Sequence, residues 1–325
     1  MTQTEHTTDS LRITLVGAGV IGAGWAARCL AAGHDVIVSD PSAEAFEKLQ
    51  ASVQQAWPVL RKRGLAAEAS TARVRYEPDL AAAVAQADFI QESAPEREDL
   101  KRRLIAAIDA AAPASTPIAS SSSGLLPSRL QSDCAYPERV LVAHPFNPVY
   151  LLPLVELVGG AQTAHEAIAQ ARDFYQQLGM RPLVVRREIE GFIADRLMEA
   201  LWREALHLVN DGVATTEEVD AAVVYGAGLR WSLMGTFLTF HLAGGDAGMR
   251  HMLEQFGPAL KLPWTKLEAP ELTDDLIERV VDGCERQADG RSVDQLAERR
   301  DEFLSRLLDL VSEYWPENEG LTGHI

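Results

Sequence analysis

The chain has 325 residues, enough for about two domains and for a core that encloses a cofactor-sized ligand. Its 47% hydrophobic and 24% charged residues are those of an ordinary soluble globular protein, and no run approaches the roughly 18 apolar residues that cross a bilayer. Lys and Arg number 30 against 47 Asp and Glu, a formal charge of −17 that repels nucleic-acid phosphates and favours neutral or cationic partners.

The three cysteines, Cys29, Cys134 and Cys284, are far apart and show no CxxC spacing, so neither a disulfide framework nor a thiolate metal site is expected. Residues 1–10 are polar and lack the basic and apolar segments of a signal peptide. They read as a flexible tail on a cytoplasmic protein.

From Leu11 the alternating Leu-Arg-Ile-Thr-Leu-Val predicts a strand, Gly17 to Gly22 a tight turn, and the alanine-rich stretch to about Ala32 a helix. Gly33 ends that helix, and Val36 to Ser39 forms a second strand closing on Asp40-Pro41, completing a βαβ unit. A helix over 42–64, a strand over 87–92, a helix over 98–112 and a short strand over 117–119 follow. Arg139 to Ala143 and Leu154 to Val158 read as the last strands of this half. The alternation predicts an α/β fold, a Rossmann-like doubly wound sheet. After about Arg187 the apolar period becomes helical: Phe192, Leu197, Leu201, Ala205 and Leu208 run to a stop at Gly212, and Thr215 with Glu218 forms a capping box for the next helix. Gly244-Gly245 and Pro258 punctuate the remainder, and a last amphipathic helix carries Leu296, Phe303, Leu304, Leu307, Leu308, Val311 and Trp315. The expected organisation is therefore a nucleotide-binding domain over 11–187 and an all-helical domain over 188–325.

Gly17-Ala18-Gly19-Val20-Ile21-Gly22, after a strand and opening a helix, is a dinucleotide fingerprint. The first glycine allows the turn, the second admits the pyrophosphate, and the third packs helix on strand. Asp40, at the end of the second strand, can accept from both adenosine ribose hydroxyls and would repel a 2′-phosphate, which selects NAD over NADP. His144-Pro145-Phe146-Asn147-Pro148 follows a strand, and Glu156 lies in the next apolar run. A carboxylate there needs a partner, and an imidazole would serve, giving an oriented general base; a solvated loop histidine and an edge-strand glutamate are the alternative. Ser120 to Ser123, before Gly124, lie at the expected carboxyl edge of the sheet, where a hydroxyl can meet substrate oxygen or simply belong to a loop. No metal-ligand cluster is read.

Taken together, these motifs, with Ala94-Pro95-Glu96, Lys101, Leu154-Val155-Glu156 and Gly191-Phe192-Ile193-Ala194-Asp195-Arg196-Leu197, resemble the 3-hydroxyacyl-CoA dehydrogenase superfamily to about residue 300. The resemblance implies an NAD-binding domain and a helical domain that carries a homodimer contact. It makes His144 the general base, Glu156 its orienting carboxylate and Ser123 the partner of the reacting oxygen, with Glu96, Lys101, Ser123 and Asn147 touching NAD. Two departures turn the expectation from acyl-CoA to a small-molecule substrate. The segment 42–71 offers mainly Arg61-Lys62-Arg63 to a polyanion, and Asp195 stands where the family usually has asparagine. A carboxylate there attracts a cation, which points to a small 3-hydroxy acid carrying a quaternary ammonium group. Trp231, Tyr150, Phe192 and Phe240 are candidate faces for that group, each alternatively plain core. A neutral polyhydroxy acid such as L-gulonate, and an NAD-binding protein without turnover, are the competing readings.

Overall fold

The computed structural model describes residues 10–232, 235–244, 246, 248–256, 262–266, 271, 273–277, 281, 289–291 and 293–314. The chain divides into two units, Met1–Asp195 and Arg196–Ile325.

The first unit is built on eight strands: β1 (Arg12–Val16), β2 (Asp35–Ser39), β3 (Val74–Tyr76), β4 (Phe89–Glu92), β5 (Ile118–Ser120), β6 (Val140–Pro145), β7 (Leu154–Gly159) and β8 (Arg181–Val185). Their order is β3-β2-β1-β4-β5-β6-β7-β8, so the chain starts in the middle of the sheet and winds outward in both directions. Strands β1 to β6 are parallel, β7 is antiparallel to β6, and β8 is parallel to β7. The doubly wound sheet is as expected, with three additions. The expected strands stop at β7, whereas α6 (His165–Gln177) and β8 follow it, and β3 forms the opposite edge; α2 (Ala43–Arg63), α3 (Leu80–Val84), α4 (Glu98–Ala111) and α5 (Pro127–Leu130) lie between the earlier strands. The strands of the interior read as apolar runs because both faces are covered, and the buried side chains of β1, β4 and β6 are shared between two core clusters.

Helix α1 (Val20–Ala31) fills the first crossover and is buried over almost its whole length, from Gly22 to Leu30. Small residues let it approach closely: a Cβ on Gly24 would lie 2.8 Å from Cβ of Val149. One turn on, the buried guanidinium of Arg28 donates to the carbonyls of Val149 (2.7 Å), Leu152 (3.1 Å) and Leu178 (3.1 Å). Burial pushes Arg28 down to about 10, a cost met by these carbonyls. The loop that follows β6, with its cis Asn147–Pro148 bond, is thus fastened to the helix that follows the glycine turn.

The described residues of the second unit are largely helical. They contain most of α7 (Ala194–Asn210), then α8 (Thr216–Ala222), a π-helical stretch Val223–Gly228, α9 (Leu229–Trp231), α10 (Thr236–Ala243), α11 (Gly248–Phe256) and α12 (Val293–Tyr314). The Thr215–Glu218 capping box forms as expected, and the chain turns at Gly212 with φ +68. On α12, Phe303 is exposed, while Leu304, Leu307 and Leu308 are half-buried. The anticipated break residues Gly245 and Pro258, and also Cys284, Trp315 and the tail 1–9, lie outside the described residues. Ser10, expected in that tail, donates to the carbonyl of Gly33 at 3.2 Å and accepts from Arg73 at 2.6 Å.

Replacing Arg28 by Met leaves three carbonyls without their donor, so urea unfolding of R28M is expected to show a loss of about 3 kcal/mol. An unchanged unfolding midpoint would mean that other contacts hold the loop.

Candidate active site

At the carboxyl end of β1 the chain turns through Gly17, whose φ of +108 favours glycine. A Cβ there would fall 2.7 Å from the carbonyl group of Ser93, and one on Gly22 would fall 2.1 Å from the oxygen of Gly17, so both positions exclude side chains. Gly19, in contrast, faces open space. The first turn of α1 has no side-chain cap, and the first helical bond is Ala23 N–H to Gly19. Uncapped N–H groups beside an open glycine fit a pyrophosphate. Asp40 closes the turn: one carboxylate oxygen accepts from Ala18 N–H at 2.8 Å and the other from Ser42 N–H at 2.9 Å. Each oxygen keeps a lone pair for a ribose hydroxyl. These residues fit the adenosine and pyrophosphate of NAD.

On β6 and β7, His144 and Glu156 are directly opposed in the antiparallel register, so twelve residues of sequence become one cross-strand pair. Both are buried, and His144 Nδ1 lies 3.1 Å from Glu156 Oε2. Glu156 accepts with its other oxygen from the N–H groups of Ile193 and Ala194, both at 3.0 Å. The left-handed pair Gly191 (φ +71) and Phe192 (φ +45) turns the chain so that those two N–H groups, at the start of α7, aim at the carboxylate. A carboxylate with these three partners is an acceptor only, which assigns the imidazole proton to Nδ1 and leaves Nε2 as the basic atom. Across from Nε2, at 3.6 Å, stands Oδ2 of Asp195. Two acceptors facing each other leave a place for a donor, such as a hydroxyl, to enter. The ring of Phe146 meets the imidazole edge-on at a centroid distance of 4.7 Å, and the fully buried Phe192 lies behind it at 5.7 Å.

The serine loop follows β5. Glu96 accepts from the hydroxyl of Ser122 (2.6 Å) and from the backbone N–H of Ser123 (3.0 Å), which leaves Ser123 exposed at the same edge of the sheet. Asn147 is exposed in the loop after β6. Lys101 is 1% exposed and bonds both oxygens of Glu92 at 2.8 and 3.0 Å, with Glu96 at 3.5 Å. Glu92 also accepts from Ser120 Oγ and Ala94 N–H. Sequence reading missed Glu92 as Lys101's partner; a lone carboxylate ending an apolar strand was the available signal.

The four aromatic candidates divide between the two units. Tyr150 packs half-buried against the sheet's core and Phe192 is wholly enclosed, both in the first unit. Trp231 and Phe240 belong to the second unit, 43% and 47% exposed. Among the described residues there is no cluster of ligands for a metal ion.

Family models match along most of the chain: the 3-hydroxyacyl-CoA dehydrogenase NAD-binding domain over residues 12–189 and the C-terminal domain of the same family over 191–283. An L-carnitine dehydrogenase of Bacillus cereus is 62% identical over 94% of both chains. Enzymes of the same name from Oceanobacillus iheyensis and Pseudomonas aeruginosa are 58% and 59% identical over 94% of this chain and 99% and 95% of theirs. Among solved structures, a 5-formyl-3-hydroxy-2-methylpyridine 4-carboxylic acid 5-dehydrogenase, an NAD+-dependent dismutase, superposes with a TM-score of 0.78 at 26% identity, covering 93% of this chain and 99% of its own. An (S)-3-hydroxybutyryl-CoA dehydrogenase from Ralstonia eutropha gives 0.62 at 26% identity over 87% and 95%. With its dinucleotide cradle and its paired histidine and glutamate, the chain belongs to the 3-hydroxyacyl-CoA dehydrogenase family, an NAD-dependent oxidoreductase of Rossmann-like fold with a helical C-terminal domain.

Proposed function

We propose that the protein oxidises L-carnitine to 3-dehydrocarnitine, and the observation that carries this reading is the buried His144 held between Glu156 and Asp195. When bound, NAD supplies the hydride acceptor for C3 of the substrate. His144 Nε2 takes the hydroxyl proton, and Glu156, with both oxygens bonded, stabilises the imidazolium as it forms. Ser123 holds the reacting oxygen from the neighbouring strand end. Glu96 and Asn147 complete the cofactor side with Gly17 to Gly22 and Asp40, while Lys101, expected to touch NAD, is enclosed and acts through Glu96. Asp195 supplies a counter-charge for the trimethylammonium group, which offers no N–H and is bound through charge and aromatic faces. Tyr150, half-buried in the first unit, offers an aromatic face for it, Phe192 is enclosed behind the imidazole, and Trp231 and Phe240 expose aromatic faces on the second unit. The names of the relatives at 54–62% identity support this substrate over a polyhydroxy acid.

Residues 11–187 form the NAD-binding domain in this reading and 188–325 the substrate and dimer domain. The exposed Trp202, Phe237 and Leu242 of the second unit support a homodimer. Among the described residues no helix is long and apolar enough to cross a membrane, and the unpaired Cys29 and Cys134 support a cytoplasmic setting.

NADH formation should be fastest with L-carnitine when compared with D-carnitine, L-gulonate and 3-hydroxybutyryl-CoA at equal concentration. Preference for gulonate or the CoA ester removes the substrate assignment, and no turnover with any of them supports a non-catalytic NAD-binding protein. His144→Gln should keep NAD+ affinity while kcat falls by about 10²–10⁴; near-normal turnover would remove His144 as the base. Asp195→Asn should raise KM for L-carnitine roughly three- to tenfold more than for a neutral hydroxy acid. An equal rise for both contradicts the counter-charge role.

A further inference from the structure

A buried polar chain runs from the core to the glycine turn, and its direction is fixed by the chemistry of its members. At its foot, Tyr175 is fully buried and bonded to Oε1 of Gln91; burial raises its pKa well above the ordinary phenol value, so it is a neutral O–H. Its hydrogen has no other acceptor among the described residues, so the Gln91 amide must present its oxygen to Tyr175 and its NH₂ to the other side. There Gln91 Nε2 donates to Ser121 Oγ at 2.8 Å. The Trp25 indole, which can only donate, reaches the same oxygen at 3.1 Å. Both lone pairs of Ser121 are thereby used, and its own hydrogen has to go to the remaining neighbour, Ser93 Oγ at 2.9 Å. Ser93 accepts that bond, so its hydrogen points away from the core.

Where it points follows from the sheet. The carbonyl group of Ser93 touches the position of a Gly17 Cβ, and its own Cβ lies 4.0 Å from that of a Cβ on Gly22, so Ser93 flanks the glycine turn. Asp40 stands at the end of β2, on the other side of β1 from Ser93 at the end of β4. A dinucleotide with its adenosine at Asp40 and its pyrophosphate at the turn extends its second half over β4.

We propose that Ser93 binds the cofactor, its hydrogen presented by the Tyr175–Gln91–Ser121 chain to an oxygen of the nicotinamide-side phosphate or ribose. A hydroxyl held in one orientation costs no reorganisation on binding, and aligned hydrogen bonds strengthen each donor in turn.

Calorimetric titration of the purified protein tests this without turnover. Ser93→Ala is expected to weaken NAD+ and ADP-ribose about tenfold while AMP, which lacks the second half, stays within about twofold. No loss, a loss confined to NAD+, or an equal loss for AMP overturns the proposal. A cycle with Gln91→Glu separates an oriented donor from a merely structural serine. The carboxylate accepts from both Tyr175 and Ser121, freeing Ser121 to accept from Ser93 and so turning the Ser93 hydrogen inward. Gln91→Glu should therefore weaken NAD+ markedly in the native background and much less in Ser93→Ala. Additive losses would show that the chain does not act through Ser93.

Discussion

The arrangement around His144 depends on the burial of one carboxylate. Glu156 is inaccessible to water, and an isolated charge in such a place would be prohibitively costly. It is stable there because three donors converge on it from two directions, the imidazole across the β6–β7 ladder and two backbone N–H groups at the start of α7. Each donor imposes a constraint. The imidazole requires the register that opposes residues 144 and 156, and the N–H pair requires the left-handed turn at Gly191-Phe192. Orientation of the imidazole, strand register and the entry into α7 are thus one problem with one solution, and none can slip without leaving the carboxylate short of a partner.

The reversal of β7 is part of the same solution. Only residues 146–153 separate β6 from β7, too few for the crossover of a dozen or more residues that a parallel neighbour would need, so the chain must return antiparallel. That return places Glu156 beside a histidine at the carboxyl edge of β6, the edge where β1, β4 and β5 deliver the glycine turn, Ser93 and the serine loop. Arg28 couples the two halves of this edge, since it extends from the helix after the glycine turn to the carbonyls of the loop after His144.

What could be read from the sequence was local. A strand, three spaced glycines, a helix and an acid at the end of the next strand all lie within about thirty residues, so the cofactor cradle was legible before any coordinates. The His144–Glu156 pairing was open on spacing alone, because twelve residues fit a hairpin and many other geometries; the register decided it. Strands β3 and β8 escaped notice: β3 has only three residues, and β8, though as long as β1, is mostly half-buried and carries no alternation to mark it. The long-range polar contacts escaped for a different reason. Tyr175 and Gln91 are 84 residues apart and Arg28 and Val149 are 121, and no periodicity announces that a given arginine will end at a given carbonyl.

Two carboxylates flank His144, and their surroundings divide their roles. Glu156 is fully enclosed and its charge is spent on the protein's own donors, whereas Asp195 is 22% exposed and faces the opposite ring nitrogen. A ligand approaching Nε2 therefore meets the field of Asp195, hardly diminished by the satisfied Glu156, against a background of −17 over the whole chain. An amide at 195 would greet a carbonyl or a thioester with a donor, but a carboxylate repels a polyphosphate tail and lowers the energy of a cation. In the proposed function, an enclosed carboxylate that orients the base is paired with an accessible one that selects the charge of the substrate, so a 3-hydroxyacyl-CoA dehydrogenase fold turns from acyl-CoA to a small cationic hydroxy acid with its proton-transfer machinery intact.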